Sequence, residues 1–469
     1  MRILFFNPPF TIYGGLEGHG GSAAPLNLAY LMSYLREKRN DELLFLDAEA
    51  ERFTYRDIEA YLKEKRPDVI AITVPTPTFN IVLKCCRIAK KLNPNVKTVL
   101  GGPHPTVLPR ITIRERDVDF VVVGEGEITF YELINSLSNG SDLSLVDGLV
   151  FKRGGIIFNR ERELISNLDS LPFPARDLLP LHLYYPPPTK RVSGEKNSAN
   201  IIGSRGCPYN CTYCIAAKIW RRKYRPRSPK NIVDEIEECV KKYGLKEFNF
   251  HDELFTLIEK RVFDICDEIL KRKLDISWVC MARVDRLTKE MLVKMKKAGC
   301  KKIMFGFESG SEKVLKSMRK QANLVQARRA VKMVKEVGID IAANFMFGHI
   351  GESKETIRET IEFAKEINAD TTAFLIASPY PGTDFYRIAR KKGYLRRNYN
   401  WEDFILVGDM LPLVNLPDLK PDEILKWQKR ANREYYLRFG YIAMKLKKIR
   451  DLKDVKNLIN GIRLFLKVS

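Results

Sequence analysis

The 469-residue chain is 45% apolar and 29% charged, which fits a soluble globular protein with two or three domains, each able to bury its own core. No stretch approaches the apolar length of a bilayer span, and residues 1–6 run straight into a strand pattern. Neither a membrane helix nor a signal peptide is therefore expected, and the cytoplasm is the expected compartment. The net charge of +22 is uneven: residues 1–150 carry 17 Lys+Arg against 19 Asp+Glu, the rest 63 against 39. A positive field thus belongs to the later parts of the chain. Nine cysteines in such a chain suit metal chemistry better than disulfides. Glutamine occurs only at Gln321, Gln326 and Gln428 beside abundant Lys, Arg and Glu, which points to a thermophile.

Residues 1–140 alternate short β-rich runs (2–7, 43–47, 68–73, 96–100, 119–123) with helical stretches (26–37, 54–65, 79–92, 128–138). That alternation predicts a parallel, doubly wound sheet, whose ligands bind at the carboxyl ends of its strands. Those ends carry Asn7-Pro8-Pro9, Thr73-Val74-Pro75-Thr76, Gly101-Gly102-Pro103-His104-Pro105 and Gly124-Glu125-Gly126-Glu127. Gly101 and Gly102 let backbone approach a bulky ligand, and Pro103 and Pro105 stiffen the turn. No G-x-G-x-x-G follows the first strand, so a nicotinamide site is poorly supported. Residues 146–159 read as a hairpin turning at Arg153-Gly154-Gly155, followed by a stiff Pro-rich connection.

Ser204-Arg-Gly-Cys-Pro-Tyr-Asn-Cys-Thr-Tyr-Cys214 places Cys207, Cys211 and Cys214 at C-x3-C-x2-C spacing on a loop after the strand 199–203. Three thiolates so close can hold three irons of a four-iron cluster and leave the fourth open to a small chelating molecule. The alternative is a zinc site, but no His or fourth Cys follows at finger spacing. Three is also an odd number for disulfides. The other six cysteines, Cys85, Cys86, Cys239, Cys266, Cys280 and Cys300, sit in helix or strand patterns as small buried residues.

A second alternating series runs from residue 199 to about 390. Strands are expected at 199–203, 247–250, 276–281, 302–307, 339–347 and 371–377, separated by helices. Six strand–helix repeats make a partial parallel barrel with chemistry at its carboxyl-terminal rim. That rim carries Asp252-Glu253, Arg283, Glu308-Ser309 and His349, each of which alone could be a surface residue or a helix cap. Residues 218–230 hold seven basic residues and no acidic one. Arg225 and Arg227 there either shield an anionic substrate and the charges around its cofactor or belong to a solvated run. Trp220 and Tyr224 are too few aromatics for RNA stacking, so no nucleic-acid partner is expected.

The cysteine loop, with Tyr213 before its last Cys, resembles the cluster signature of the radical S-adenosylmethionine (SAM) superfamily. The first-domain motifs resemble the cobalamin-binding domain found ahead of many radical SAM domains. Together they identify the chain as similar to cobalamin-dependent radical SAM enzymes over about residues 1–390. The implied fold is α/β: a doubly wound Rossmann-like cobalamin domain (1–140), a hairpin and Pro-rich connection (141–196), a partial (β/α)6 barrel (197–390) and a helical extension (391–469).

The resemblance implies a [4Fe-4S] cluster on Cys207, Cys211 and Cys214 whose open iron binds SAM. It implies SAM contacts at Tyr213, Asp252, Glu253, Arg283, Glu308, Ser309, Met346 and Phe347, with Asp252-Glu253 meeting the SAM amino group. Cobalamin contacts are implied at Pro8, Thr73, Pro75, Thr76, Gly101, Gly102, Pro103, His104, Gly124, Glu125 and Gly126. The mutase pattern D-x-H-x-x-G is absent; the nearest segment, Glu17-Gly18-His19-Gly20-Gly21-Ser22, reads as a Gly-rich loop with an incidental His. No protein nitrogen is therefore expected on cobalt.

The implied activity is methyl transfer to a poorly nucleophilic carbon, through a 5′-deoxyadenosyl radical and methylcobalamin, with an external one-electron reductant. Oxidative cyclisation or carbon–carbon coupling is the enzyme alternative, and a non-catalytic corrin- or SAM-binding regulator the alternative of another class. The tail and basic surface favour a lipid-like, isoprenoid or tetrapyrrole substrate over a peptide. Residues 421–469 read as two or three helices, amphipathic near 435–449 and 455–466. They are expected to form a lid over the barrel, with membrane-surface contact as the alternative.

Overall fold

The computed structural model describes residues 1–11, 22–187, 190, 198–405, 410–447 and 449. The loop containing His19 and the helix expected at 455–466 lie outside the described residues.

The first sheet has seven strands in the order β2-β1-β3-β4-β5-β6-β7. They are β1 (Arg2–Asn7), β2 (Glu42–Asp47), β3 (Val69–Thr73), β4 (Lys97–Gly101), β5 (Phe120–Val122), β6 (Leu149–Lys152) and β7 (Ile156–Phe158). The first five pair in parallel, and β6 and β7 add antiparallel, so the expected hairpin is the far edge of this sheet. Every residue of β3 is buried, as a parallel strand covered on both faces requires. One face packs Phe5, Ala71 and Val99 with Leu28, Met32 and Phe130; the other packs Leu4, Ile70 and Leu100 with Ile58, Val82 and Cys86. Each such side chain contributes roughly 1.5–3 kcal/mol of burial. Strand order reverses between β1 and β3, which opens a crevice at the ends bearing Asn7–Pro9 and Thr73–Thr76.

The turn after β4 is more ordered than its glycines and prolines suggest. Pro103 and Pro109 each open a short helix, Pro103–Val107 and Pro109–Arg114, because proline at the first helical position lacks only an N–H that has no partner there.

The second sheet is an open barrel of six parallel strands in the order β15-β14-β13-β12-β11-β8. These are β8 (Ser198–Ile201), β11 (Glu247–Phe250), β12 (Ser277–Ala282), β13 (Cys300–Glu308), β14 (Asp340–Phe347) and β15 (Thr371–Ile376). A two-residue pair, β9 (Ser204–Arg205) with β10 (Arg225–Pro226), stands apart as an antiparallel clip. On β14, Phe345 packs against Phe363 of the helix Lys354–Ile367, and Phe347 stacks on Phe374. The helix Pro421–Tyr436 covers the β15 edge: Gln428 Nε2 donates to the Phe374 carbonyl at 2.8 Å and the Tyr435 hydroxyl to that of Ala369 at 2.7 Å. Among the described residues no helix is long and apolar enough to cross a membrane.

Candidate active site

The cysteine loop leaves β8 through a tightly held turn. Asp252, fully buried, accepts from Gly203 N at 2.7 Å and Ser204 Oγ at 2.6 Å, and Arg261 lies 3.3 Å away. Both carboxylate oxygens thus take part in fixing the loop's departure, from a position with no exposed surface. Glu253 accepts from Gly206 N at 3.0 Å and Trp220 Nε1 at 2.5 Å, and burial raises its pKa. Gly206 has φ +94°, and a Cβ there would sit 2.0 Å from the Lys223 carbonyl, so only glycine lets the loop pass its own return arm.

Cys207, Cys211 and Cys214 are half-exposed while the other six cysteines are buried. Burial raises the Cys207 thiol and brings Cys214 to about 11, and the neighbouring cysteines push in the same direction. The three are thus close enough to feel one another's charge. Yet among the described residues no three His, Cys, Asp or Glu side chains converge on a point that could hold one metal ion. A single zinc needs four donors at about 2.0–2.3 Å from one centre. A multi-iron cluster needs each thiolate on its own iron, which the C-x3-C-x2-C spacing along one loop allows.

Thr212 ties the loop to the opposite rim. Its N–H donates to the Met318 carbonyl at 3.0 Å, its carbonyl accepts from Phe385 N at 2.8 Å, and its hydroxyl lies 2.9 Å from His349 Nε2. Beside it, Tyr213 donates to Glu308 Oε1 at 2.9 Å, and Lys320 Nζ donates to the same oxygen at 2.8 Å. Burial raises the Tyr213 hydroxyl well above its ordinary pKa, and Glu308 raises it further. Glu308 holds φ +67°, a left-handed conformation for a non-glycine at the end of β13. Arg283 stacks over the Tyr209 ring at 3.7 Å, pairs with Asp285 at 2.9 Å and donates to the Gln321 carbonyl at 2.8 Å.

Two expected rim residues are placed elsewhere. Ser309 is fully buried, 3.0 Å from Thr360 Oγ1, and fixes the turn after β13. Phe347 belongs to the helix-facing stack, because neighbouring residues of a strand point to opposite faces; of the pair only Met346 is on the inner side.

The two glutamates of the motif Gly124-Glu125-Gly126-Glu127 are engaged in ion pairs. Arg205, two residues before Cys207, reaches Glu125 and Glu127 at 2.6 Å each, and Arg225 reaches Glu125 at 2.7 Å. Glu125 accepts a further hydrogen bond from Ile165 N at 2.8 Å. All four side chains are buried. The motif is an ionic clamp between the first sheet and the cysteine loop, and the charge of Arg225 is spent within it through Nη1, while its Nε and Nη2 have no hydrogen-bond partner among the described residues. Arg227 is equally spent, paired with buried Glu235. A Cβ on Gly126 would meet Leu31 at 3.1 Å, and Gly124 N donates to Thr106 Oγ1 at 3.1 Å.

The crevice of the first sheet gathers the remaining expected residues. Thr73 accepts from Asn27 Nδ2 at 2.6 Å. Gly102 has φ +98°, and a Cβ there would meet Thr73 Oγ1 and Val74 N, both at 3.1 Å; Gly101 has ordinary room. Gly102 is thus required by its own sheet, whatever ligand lies outside. Pro8 and Thr76 are buried, while Pro75 and Pro103 are exposed at the rim. His104 stacks on Phe79 at 4.1 Å, meets Trp401 edge-on at 4.9 Å and leaves Nε2 without a partner; burial lowers its pKa to about 4.

Sequence reasoning missed Arg205, Arg261, Thr212 and Lys320. Arg205 and Thr212 lie inside the cysteine loop itself and Arg261 on the buried face of the helix Glu259–Lys271, but spacing alone does not reveal their partners across the fold.

Residues 201–364 match the Radical SAM superfamily, and residues 19–134 match the B12 binding domain. An uncharacterized methyltransferase of Pyrococcus horikoshii is 36% identical over 93% of both chains. The anaerobic magnesium-protoporphyrin IX monomethyl ester cyclase of Rubrivivax gelatinosus is 30% identical over 100% of this chain and 82% of its own. The solved structure of OxsB, a cobalamin-dependent SAM radical enzyme with aqua-cobalamin bound, shares the fold at a TM-score of 0.76 and 19% identity, covering 99% of this chain and 71% of that one. With a half-exposed cysteine triad on a barrel rim clamped to a doubly wound first domain, the chain belongs to the cobalamin-dependent radical SAM enzyme family.

Proposed function

We propose that this enzyme transfers a methyl group to an unactivated carbon of a small molecule, at the junction between the first-domain crevice and the barrel rim. The observation that carries the reading is the clamp Glu125/Glu127–Arg205, which fixes the cysteine loop directly to the domain that would hold cobalamin. The cluster supplies reductive cleavage of SAM, and cobalamin supplies the methyl carrier.

In this reading Cys207, Cys211 and Cys214 would hold the cluster as thiolates. Glu308 and Lys320 present one negative and one positive group side by side, matching the amino and carboxylate ends of an amino acid such as the methionine part of SAM. Tyr213, bonded to Glu308, keeps that pair against the loop. Glu253 keeps the loop's first cysteine in place through Gly206, and Arg283 does the same through Tyr209. Met346 lines the inner face. Across the junction, Pro8, Thr73, Pro75, Thr76, Gly101, Gly102, Pro103, His104 and Gly124 would border the corrin.

The reading includes an external one-electron reductant and a cytoplasmic setting. It also offers a candidate surface for peripheral membrane contact: Leu437, Phe439, Ile442 and Leu446 are exposed near Lys445 and Lys447. Oxidative cyclisation is the second reading, favoured by the 30% identity to a cyclase over the full chain.

Anaerobically reconstituted enzyme is expected to hold about four irons per chain and to cleave SAM when reduced. Replacing Cys207, Cys211 and Cys214 together by Ala should abolish both. Unchanged iron content and cleavage in that variant would defeat the assignment.

A further inference from the structure

A cavity of about 120 Å³ opens beside β8, the edge of the second sheet beyond which no strand follows. Its walls come from three parts of the chain: Asn200, Asn249 and His251 of the barrel, Tyr184 and Lys190 of the connection, and Ala24 of the first domain. Asn249 and His251 alternate with Phe248 and Phe250, which lie in the core with Ile236 and Val262. They therefore face the inner side of the sheet. His251 is two residues from Glu253, which holds Gly206 of the cysteine loop, so the cavity adjoins the candidate active site.

Among the described residues, two of its polar groups are left uncompensated. Lys190 Nζ lies 3.5 Å from His251 Nε2, and no carboxylate pairs with it among the described residues. An ammonium only donates, so His251 accepts there and is the neutral imidazole with its proton on Nδ1. Burial lowers the Lys190 pKa, and burial together with Lys190 lowers His251 to about 3. Asn249 is 3% exposed, and its Oδ1 has no partner. The one other cation in the wall, Arg176, is already taken by Glu235 and the Asn200 carbonyl. A partly buried ammonium without a counterion asks for an anion, and a buried acceptor without a donor asks for an O–H or N–H. The space far exceeds the roughly 10–15 Å³ that one water needs.

We propose that this cavity is an oxyanion subsite, in which Lys190 receives a carboxylate or phosphate group of the enzyme's small-molecule substrate and Asn249 accepts from a neighbouring hydroxyl or amine. The assignment to substrate rests on the reading of the preceding section; the anion site itself does not. The substrate class narrows accordingly to an acid or phosphate ester carrying a donor close to its anionic end.

The test is ¹⁹F NMR of the full, reconstituted chain, titrated with trifluoroacetate in one arm and monofluorophosphate in the other. Saturable broadening of at least one probe is expected, with binding about tenfold weaker in Lys190→Met for loss of a charge-assisted hydrogen bond. Asn249→Leu should leave that broadening in place, because these probes carry no donor for Oδ1, and Lys190 lies outside the packed core, so its replacement should leave the thermal midpoint unchanged. Response to trifluoroacetate alone identifies a carboxylate, and to monofluorophosphate alone a phosphate. Equal broadening in wild type and Lys190→Met, or none with either probe, overturns the proposal and leaves a water-filled cavity. Retained, Lys190-dependent binding in an enzyme that transfers no methyl group would instead fault the functional reading and keep the subsite.

Discussion

Glu352 follows the β14 rim and is wholly buried, accepting from Gly348 N on one oxygen and from nothing on the other. Burial raises its pKa from 4.5 to about 8. A carboxyl whose folded pKa lies above its unfolded value gives its full stabilisation below pH 4.5. That stabilisation drains away as pH rises towards 8. At about 1.4 kcal/mol per pKa unit, wild type should lose roughly 3–5 kcal/mol relative to Glu352→Gln between pH 4.5 and 8.5. Urea unfolding across that range reads the difference, and parallel stability curves would count against the buried acid. Gly102 gives a second residue-scale expectation. With φ +98° and its sheet 3.1 Å from a new Cβ, Gly102→Ala should cost about 1–3 kcal/mol in protein free of cobalamin. An unaltered midpoint there, with weaker corrin binding, would restore the ligand as the reason for this glycine.

At the scale of elements, the clamp between first sheet and cysteine loop is a buried ionic contact joining the two halves. Glu125→Gln leaves two buried guanidinium groups facing a neutral amide and should cost about 3–5 kcal/mol of unfolding free energy. The measurement is chemical denaturation followed at both halves, with loss of the single transition expected. The strands themselves were legible in the sequence, because runs such as Val69–Thr73 are apolar on both faces and few other structures accept them. The clamp was not legible. Glu125 and Arg225 are 100 residues apart, and no periodicity links two partners across such a distance. Asp252 and Glu253 illustrate the same limit at short range. Two adjacent carboxylates at a strand end look alike in sequence, yet one is turned into Gly203 and Ser204 while the other supports Gly206. The cysteine triad was readable because its chemistry lies in spacing along one loop, which needs no tertiary knowledge.

For the whole molecule, part of the positive charge of residues 151–469 is internal rather than on the surface. In the basic run 218–230, Arg225 and Arg227 are buried in ion pairs, Arg221 meets Glu161, and Lys230 meets Asp234. Arg225 ties the segment after the cysteine loop to the first sheet, and the cavity at Lys190 is a partly buried place where a cation has no carboxylate partner among the described residues. The central claim is that the joined halves together move a methyl group onto carbon. Anaerobic incubation of the reconstituted enzyme with trideuteriomethyl-labelled SAM, a reductant and cell extract, followed by mass spectrometry, tests it most directly. The account predicts a product bearing the intact labelled methyl group, formed together with 5′-deoxyadenosine. Formation of 5′-deoxyadenosine with an unlabelled product that has only lost hydrogen would contradict it and make the enzyme a cyclase or coupling catalyst.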